Sequence, residues 1–342
     1  MKPLLAQLLD SASRAPSAHN TQPWRLRWCE VSVEILLQNE RRLTAVDPTD
    51  SDALHALGAL LENLVLTLEY CGFQAHYDCA KILSISEPII HLTWQPSSTV
   101  ASDDSLYRMI PLRRTSRLPY QNKPLSAEDI AALQAATAGP CQLQVITAAE
   151  VLTDLRHLVA QATAAQLANA AIAEELYRWL RFSPRERNWH RDGLNSACLA
   201  WKPWEASIAK LLLSPRVLNI LTRFGLHRAL CASVDAQAPP APALCLLTLD
   251  NPSLANRIEA GRILQRIWLT AAARGLVTHP LSAALDVPAI RPLVLERLGL
   301  PSSQTHVNLF RIGMSAHPAR SSRLPVDEIV EYADSIAVTP SL

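Results

Sequence analysis

The chain has 342 residues, enough for two domains or one large pseudo-duplicated unit, each with a proper core, so no disulfide or metal staple is required. Lysine and arginine number 32 against 31 acids, a formal charge of +1, which argues against nucleic acid and against a membrane as partner. No apolar run reaches the roughly 18 residues of a membrane span, and the opening MKPLLAQLLDSASR turns polar too soon for a leader, so a cytoplasmic protein is expected.

The first helix is predicted to run to about residue 14, followed by the loop RAPSAHNTQPW and then WRLRWCEVSVEILLQ, whose alternation suggests a strand or hairpin. Residues 52–71 form a long helix that is apolar on several faces and stops at Gly72, which marks it as central and buried. Strands are expected near FQAHYD and IIHLTW. The polar run QPSSTVASDD separates them from RRTSRLPY, and a capping sequence at Ser126 opens a helix to Ala138.

A second long helix over 257–275 can be laid on the first. With Gly58 on Gly261, Leu61 falls on Leu264, Leu66 on Leu269, Thr67 on Thr270, Gly72 on Gly275 and His76 on His279. Repetition of one α/β unit would pack the two long helices together between two small sheets. Between the halves lies an insertion, about 150–238, helical and bearing Trp179, Trp189, Trp201 and Trp204, that ends at APPAPA. It reads either as core or as a lid.

Two absences narrow the chemistry. The seven cysteines (29, 71, 79, 141, 198, 231, 245) are scattered, without metal-ligand spacing, and read as reduced core thiols. Only nine glycines occur where average usage of about 7% would give two dozen, and no G-x-G exists. Dinucleotide fingerprints, P-loops and nucleophile elbows need glycine for close backbone approach, so a phosphate here must be held by side chains.

Three segments offer such side chains. Pro16-Ser-Ala-His-Asn-Thr-Gln-Pro-Trp24 sets a hydroxyl, an amide and an indole on one loop; Arg113-Arg-Thr-Ser-Arg117 gathers three guanidinium groups and two hydroxyls; Arg320-Ser-Ser-Arg323-Leu-Pro repeats that chemistry. Singly, each also fits a solvated face, a self-capped turn or a core tryptophan.

Together and in this order they resemble the nitroreductase superfamily of FMN-dependent flavoenzymes. APSAHNTQPW resembles its proline-serine loop, RRTSR its arginine-x-serine-x-basic motif, and SRLP its basic C-terminal strand. Chain length, Asp47-Pro48, RRTSRLPY and GLVTHPLSAALDVP with LFRIG are similar to the Acg-type branch, in which two nitroreductase-like units are fused. The resemblance implies an α+β, nitroreductase-like, pseudo-dimeric single chain: two small, mainly antiparallel sheets around long helices, with halves at 1–105 and 106–342.

It further implies that Arg113, Thr115 and Arg323 hold the FMN phosphate, with Arg320 as an extra donor. Arg117 would sit near the pyrimidine edge, where negative charge builds on reduction. Pro16, Ser17, Ala18 and Asn20 would line the ring, and Pro280-Leu281-Ser282 would present the Ser282 backbone N–H to N5. The first half keeps the loop and lacks the arginine motif. The second keeps the arginines but has AGPCQLQV, with Cys141 and Gln144, where its loop belongs. One FMN per chain is expected, with no homo-oligomer needed to complete the site.

The family's usual glutamate and glycine are replaced by Ser282 and Ala283, and a second loop serine by Ala18. The implied activity is NAD(P)H-dependent reduction of a nitro- or quinone-like small molecule, by a ping-pong mechanism with no obligatory side-chain acid or base. The alternative is a flavin-sequestering protein whose lid excludes substrates.

Overall fold

The computed structural model describes residues 2–29, 31–80, 83–84, 87–97, 105–229, 241–316 and 318–333. Cys231, the start of the APPAPA break and most of the predicted polar linker after residue 95 lie outside the described residues.

Helix α1 (Lys2–Ser13) leads through the loop into the hairpin β1 (Trp24–Cys29) and β2 (Ser32–Leu37). Helix α2 (Ser51–Tyr70) begins where the Asp47 carboxylate accepts the N–H groups of Ser51 (2.8 Å) and Ala53 (3.1 Å), satisfying two of the donors that a helix start leaves free. From Ala53 to Leu68 every residue is buried, as the sequence predicts for a central helix. Strands β3 (Phe73–Cys79) and β4 (Ile90–Pro96) complete the first sheet.

After α3 (Ser105–Met109), helix α4 (Ala127–Ala135) starts with the expected Ser126–Asp129 capping box and ends three residues earlier than predicted. The second sheet joins β5 (Cys141–Ile146), β8 (Ala243–Leu249), β10 (Thr305–Gly313) and β9 (Val277–Pro280) in that order, all antiparallel. The inserted region comprises α5 (Ala149–Ala168), α6 (Ala170–Arg178), the short parallel pair β6 (Leu180–Arg181) and β7 (Leu194–Asn195), α7 (Pro203–Leu212) and α8 (Pro215–Arg223). The second long helix, α9, spans Leu254–Ala273. Short helices α10 (Ala283–Asp286), α11 (Arg291–Arg297) and α12 (Val326–Ile329) precede the last strand, β11 (Val330–Tyr332).

The two long helices pack directly on each other, with Gly58 facing Gly261. A Cβ on Gly58 would lie 2.0 Å from the Ile258 carbonyl oxygen, so only hydrogen fits there. Polar groups fix the pairing on either side. Fully buried Glu62 accepts from Arg262 (2.8 Å) and forms an ion pair with Arg266 (2.6 Å), and Gln265 donates to Asn63 (2.7 Å). Such a network penalises any register that leaves a member unpaired.

The structure decides part of one open reading and corrects one expectation. The inserted region is not wholly an added cover, because α5 belongs to the body: Leu155 and Ala162 are fully buried against Leu244, Leu246 and Leu309 of the second sheet. That packing, opposite α9, explains why every residue of β8 is buried. The SRLP segment is not a strand either. β10 ends at Gly313, and Pro318 and Pro325 flank a stretch without regular structure whose backbone groups are taken by side chains. The strand comes later: β11 adds parallel to β1 in the first sheet, with Leu26 opposite Val330. Among the described residues no helix is long and apolar enough to cross a membrane.

Candidate functional site

A cavity of about 440 Å³ opens beside the long helices, lined by His55, Ala56 and Ala59 of α2 and by Leu264 and Trp268 of α9. That size falls within the range of small-molecule and cofactor sites. Pro16, Ser17, Ala18, Asn20, Arg113, Thr115, Arg117, Pro280, Leu281, Ser282, Arg320 and Arg323 all line it, so segments up to three hundred residues apart in the chain meet at one place.

The 16–24 loop is shaped by its own polar groups. His19, Asn20 and Gln22 adopt left-handed backbone angles (φ 49°, 55° and 53°), and the Ser17 hydroxyl accepts the Gln22 N–H at 2.9 Å. Asn20 donates to the carbonyls of Gly193 (3.1 Å) and Ser322 (3.0 Å), and its amide oxygen accepts from Arg323 (2.9 Å). Gln22, fully buried, donates to the Arg191 carbonyl (3.0 Å) and accepts the Leu324 N–H (2.9 Å). Both amides therefore clamp the loop to the C-terminal segment and to the inserted region. Trp24 is fully buried in the first core and does not line the cavity.

The lining beside this loop is cationic. Arg113 is 9% exposed, donates to the Arg14 carbonyl at 3.2 Å and lies 5.8 Å over the Trp268 ring. Its Nε has no partner, and neither has that of Arg323. No carboxylate pairs with Arg113, Arg117 or Arg323 among the described residues. Burial, reinforced by the neighbouring guanidinium of Arg323, pulls Arg113 down to about 9; burial pulls Arg323 down to about 10. Arg117, also lowered by burial, donates to the Cys198 carbonyl at 3.2 Å. Arg320 is exposed. Buried cations without counter-charge are costly, and an anion is the group that would offset them.

A third element comes from β9 and α10. The Leu281 N–H is spent on the Leu309 carbonyl (2.7 Å), whereas the Ser282 N–H has no backbone partner among the described residues. The Ser282 hydroxyl accepts from Asn308 (2.9 Å), leaving the Asn308 amide oxygen without a partner.

Sequence reasoning missed an acidic patch on the cavity wall. Asp52 and Asp286 both line it. Burial first, then Asp286 and Asp47, hold Asp52 well above the usual carboxylate range; burial and Asp47 push Asp286 up to about 7. In sequence Asp52 reads as an ordinary first-turn acid of a helix, and Asp286, though inside GLVTHPLSAALDVP, has no chemistry of its own that the segment announces.

His19, His55 and His279 line the same space, and His306 acts on His55 from nearby. His55 is held down to about 3, and His19 and His306 to about 4, in each case mainly by burial and secondarily by nearby arginines; His279 is likewise lowered. The folded chain therefore keeps them neutral where an unfolded histidine, titrating near 6.5, takes up a proton. Their contribution to stability is complete above pH 6.5 and is lost as pH falls toward 4. The raised carboxyls of Asp52 and Asp286 act in the opposite sense, because the folded chain protonates them while an unfolded carboxylate is still ionised, so the histidine part is read as a difference between parent and variant. From pH 6.5 down to pH 4 the melting temperature of His55→Gln should rise relative to that of the parent, and a difference constant with pH would remove His55 from the acid response.

The inserted region touches all the motif segments. Glu175 accepts the N–H groups of Ala45 and Val46 (2.9 Å to the latter), and Asp192 is held between Arg181 (2.6 Å) and Arg41 (3.2 Å). Gly193 exchanges hydrogen bonds with Asn20, and Ser322 donates to the Trp189 carbonyl (2.7 Å). Trp179 and Trp189 are buried, while Trp204 is exposed.

No protein-family model matches the chain. Whole-length relatives do. The chain is 28% identical over 339 residues to a Mycobacterium tuberculosis protein provisionally named NAD(P)H nitroreductase Rv3131, covering 96% of this chain and 91% of that one. It is also 28% identical to the provisionally named NAD(P)H nitroreductase acg of the same organism, covering 93% and 92%. The chain is thus similar over nearly its whole length to proteins that carry the name NAD(P)H nitroreductase. Its likeness to the Acg protein over nearly full length matches the Acg-type branch. Among solved structures, the FMN-dependent nitroreductase NfnB of Mycobacterium smegmatis in complex with NADPH aligns with a TM-score of 0.40 and 16% identity, covering 67% of this chain and 98% of that one. A match that loose places no ligand in this chain.

Proposed function

We propose that the cavity holds one FMN per chain and that the protein is an NAD(P)H-dependent oxidoreductase of nitroreductase type. The carrying observation is the pair of guanidinium groups on buried Arg113 and half-buried Arg323, each with a buried, unpartnered Nε and no carboxylate partner among the described residues. A phosphate dianion is the counter-charge such a pair lacks, and forked arginine donors suit it. The orphaned donors thus fit the group. The relatives' shared name, NAD(P)H nitroreductase, supports the same reading.

In this reading Arg113, Thr115 and Arg323 bind the phosphate, with Arg320 at the exposed edge. Arg117 stabilises negative charge at the pyrimidine edge; Pro16, Ser17, Ala18 and Asn20 orient the ring; Pro280, Leu281 and Ser282 bring up a backbone donor at Ser282. FMN, when bound, supplies the two-electron chemistry. The residues bind, position and exclude water, and the reductant and a nitro- or quinone-like acceptor take turns in one pocket. The halves at 1–105 and 106–342 descend, in the same reading, from one duplicated unit in which only one of two symmetric sites has kept its residues.

A second reading, a flavin-sequestering protein, is favoured by one observation: the 189–198 segment is hydrogen-bonded to Asn20, Gln22, Arg117 and Ser322. Opening it would break all of these contacts together. Stoichiometry and stopped-flow reduction separate the two. One FMN per chain, bleached by NADPH or NADH and restored by a quinone, is expected for the oxidoreductase. FMN that dithionite reduces and neither nucleotide does would leave only the store, and a chain that takes up no FMN would overturn both.

A further inference from the structure

Helices α7 and α8 carry a surface that the cavity does not use. α7 exposes Trp204 (60%), Ile208 (48%) and Leu211 (62%) at the i, i+4, i+7 spacing of one helical face. α8 exposes Ile220 (56%), and Phe224 (75%) and Leu226 (53%) follow it. These six are half of the twelve exposed large hydrophobic residues among the described ones. Their inner faces are anchored: Ala206 and Leu218 are buried, and α8 packs on α5 and α6.

The charge around them is one-sided. Between residues 202 and 228 stand Lys202, Lys210, Arg216, Arg223 and Arg228, all exposed, against the single acid Glu205, a local charge of +4. The whole-chain balance of +1 conceals this segment, because the remainder is net acidic. Arg216, Arg223 and Arg228 have no carboxylate partner among the described residues. Lys210 alone of the five reaches one, Glu186 at 3.5 Å.

We propose that the α7–α8 hairpin docks on an anionic phospholipid surface, its six apolar side chains entering the headgroup boundary and its basic side chains meeting lipid phosphates. A basic, amphipathic element with exposed tryptophan and phenylalanine is the composition of an interfacial anchor that lies on a bilayer. Self-association through this face is disfavoured by the same charges, since a two-fold interface would set +4 against +4. The docking does not depend on what the cavity holds.

The test is co-sedimentation of the full chain with vesicles of phosphatidylglycerol and phosphatidylcholine, compared with phosphatidylcholine alone. Binding is expected on the anionic vesicles and should weaken by about tenfold or more in high salt, where the charges are screened. Trp204→Ser with Phe224→Ser should reduce it by about tenfold or more, while melting temperature and FMN content stay as in the parent because both side chains are exposed. No binding to anionic vesicles at any salt, or binding unchanged in the double variant, would overturn the proposal. So would a dimer on gel filtration that the double variant converts to monomer, since the face would then join two copies of the chain.

Discussion

Gly58→Ala is expected to destabilise the protein by about 3 kcal/mol or more and to disrupt cofactor uptake with it. The added methyl would sit 2.0 Å from the Ile258 carbonyl oxygen and 2.9 Å from the Gly261 Cα. Both obstacles are main chain, so no rotamer change relieves the clash and the helices must separate. Alanine's better helix propensity, worth about 1 kcal/mol, offsets only part of that cost. The separation would spread the cavity wall, because His55, Ala56 and Ala59 stand on one helix and Leu264 and Trp268 on the other. Chemical denaturation and FMN titration of the variant check both effects. An unchanged unfolding midpoint would mean that the helices do not approach so closely.

Arg113→Ala is expected to move two measurements in opposite directions. FMN affinity should fall roughly 10- to 150-fold, the loss of one charge-assisted contact of about 1.5–3 kcal/mol. The flavin-free protein should melt no lower than the parent, and higher if anything, because the change removes a buried cation held down by burial and by Arg323. A general loss of folding would lower both together. Cys141→Ala, in the strand where a second loop would lie, should leave flavin content unchanged and serves as the control. Undiminished FMN affinity in the arginine variant would take Arg113 out of the site.

Much of the site was legible because local chemistry announces it. The 16–24 loop, the 113–117 arginines and the 320–325 segment concentrate donors and proline in short runs, and Gly58 and Gly261 were paired by the spacing of identities around them. The acidic patch was not legible. Asp52 and Asp286 acquire their character from burial near Asp47, a property of the packed cavity and not of any local pattern. The role of α5 was hidden for a related reason, since its apolar positions fit a cover or a core equally until Leu155 is seen against Leu246. The three residues of β11 are too few to declare a strand, and their pairing with β1 joins positions some three hundred residues apart.

The route of the last twenty residues described has a thermodynamic corollary. β10 is fixed in one sheet and β11 in the other, and the peptide between them brings Arg323 to Asn20. In an assembly of separate subunits, the meeting of two such walls would follow mass action and weaken on dilution. Here a covalent tether sets their encounter at a constant effective molarity. Nucleotide occupancy in this protein should accordingly be independent of polypeptide concentration, down to the dilution at which the free ligand itself becomes limiting.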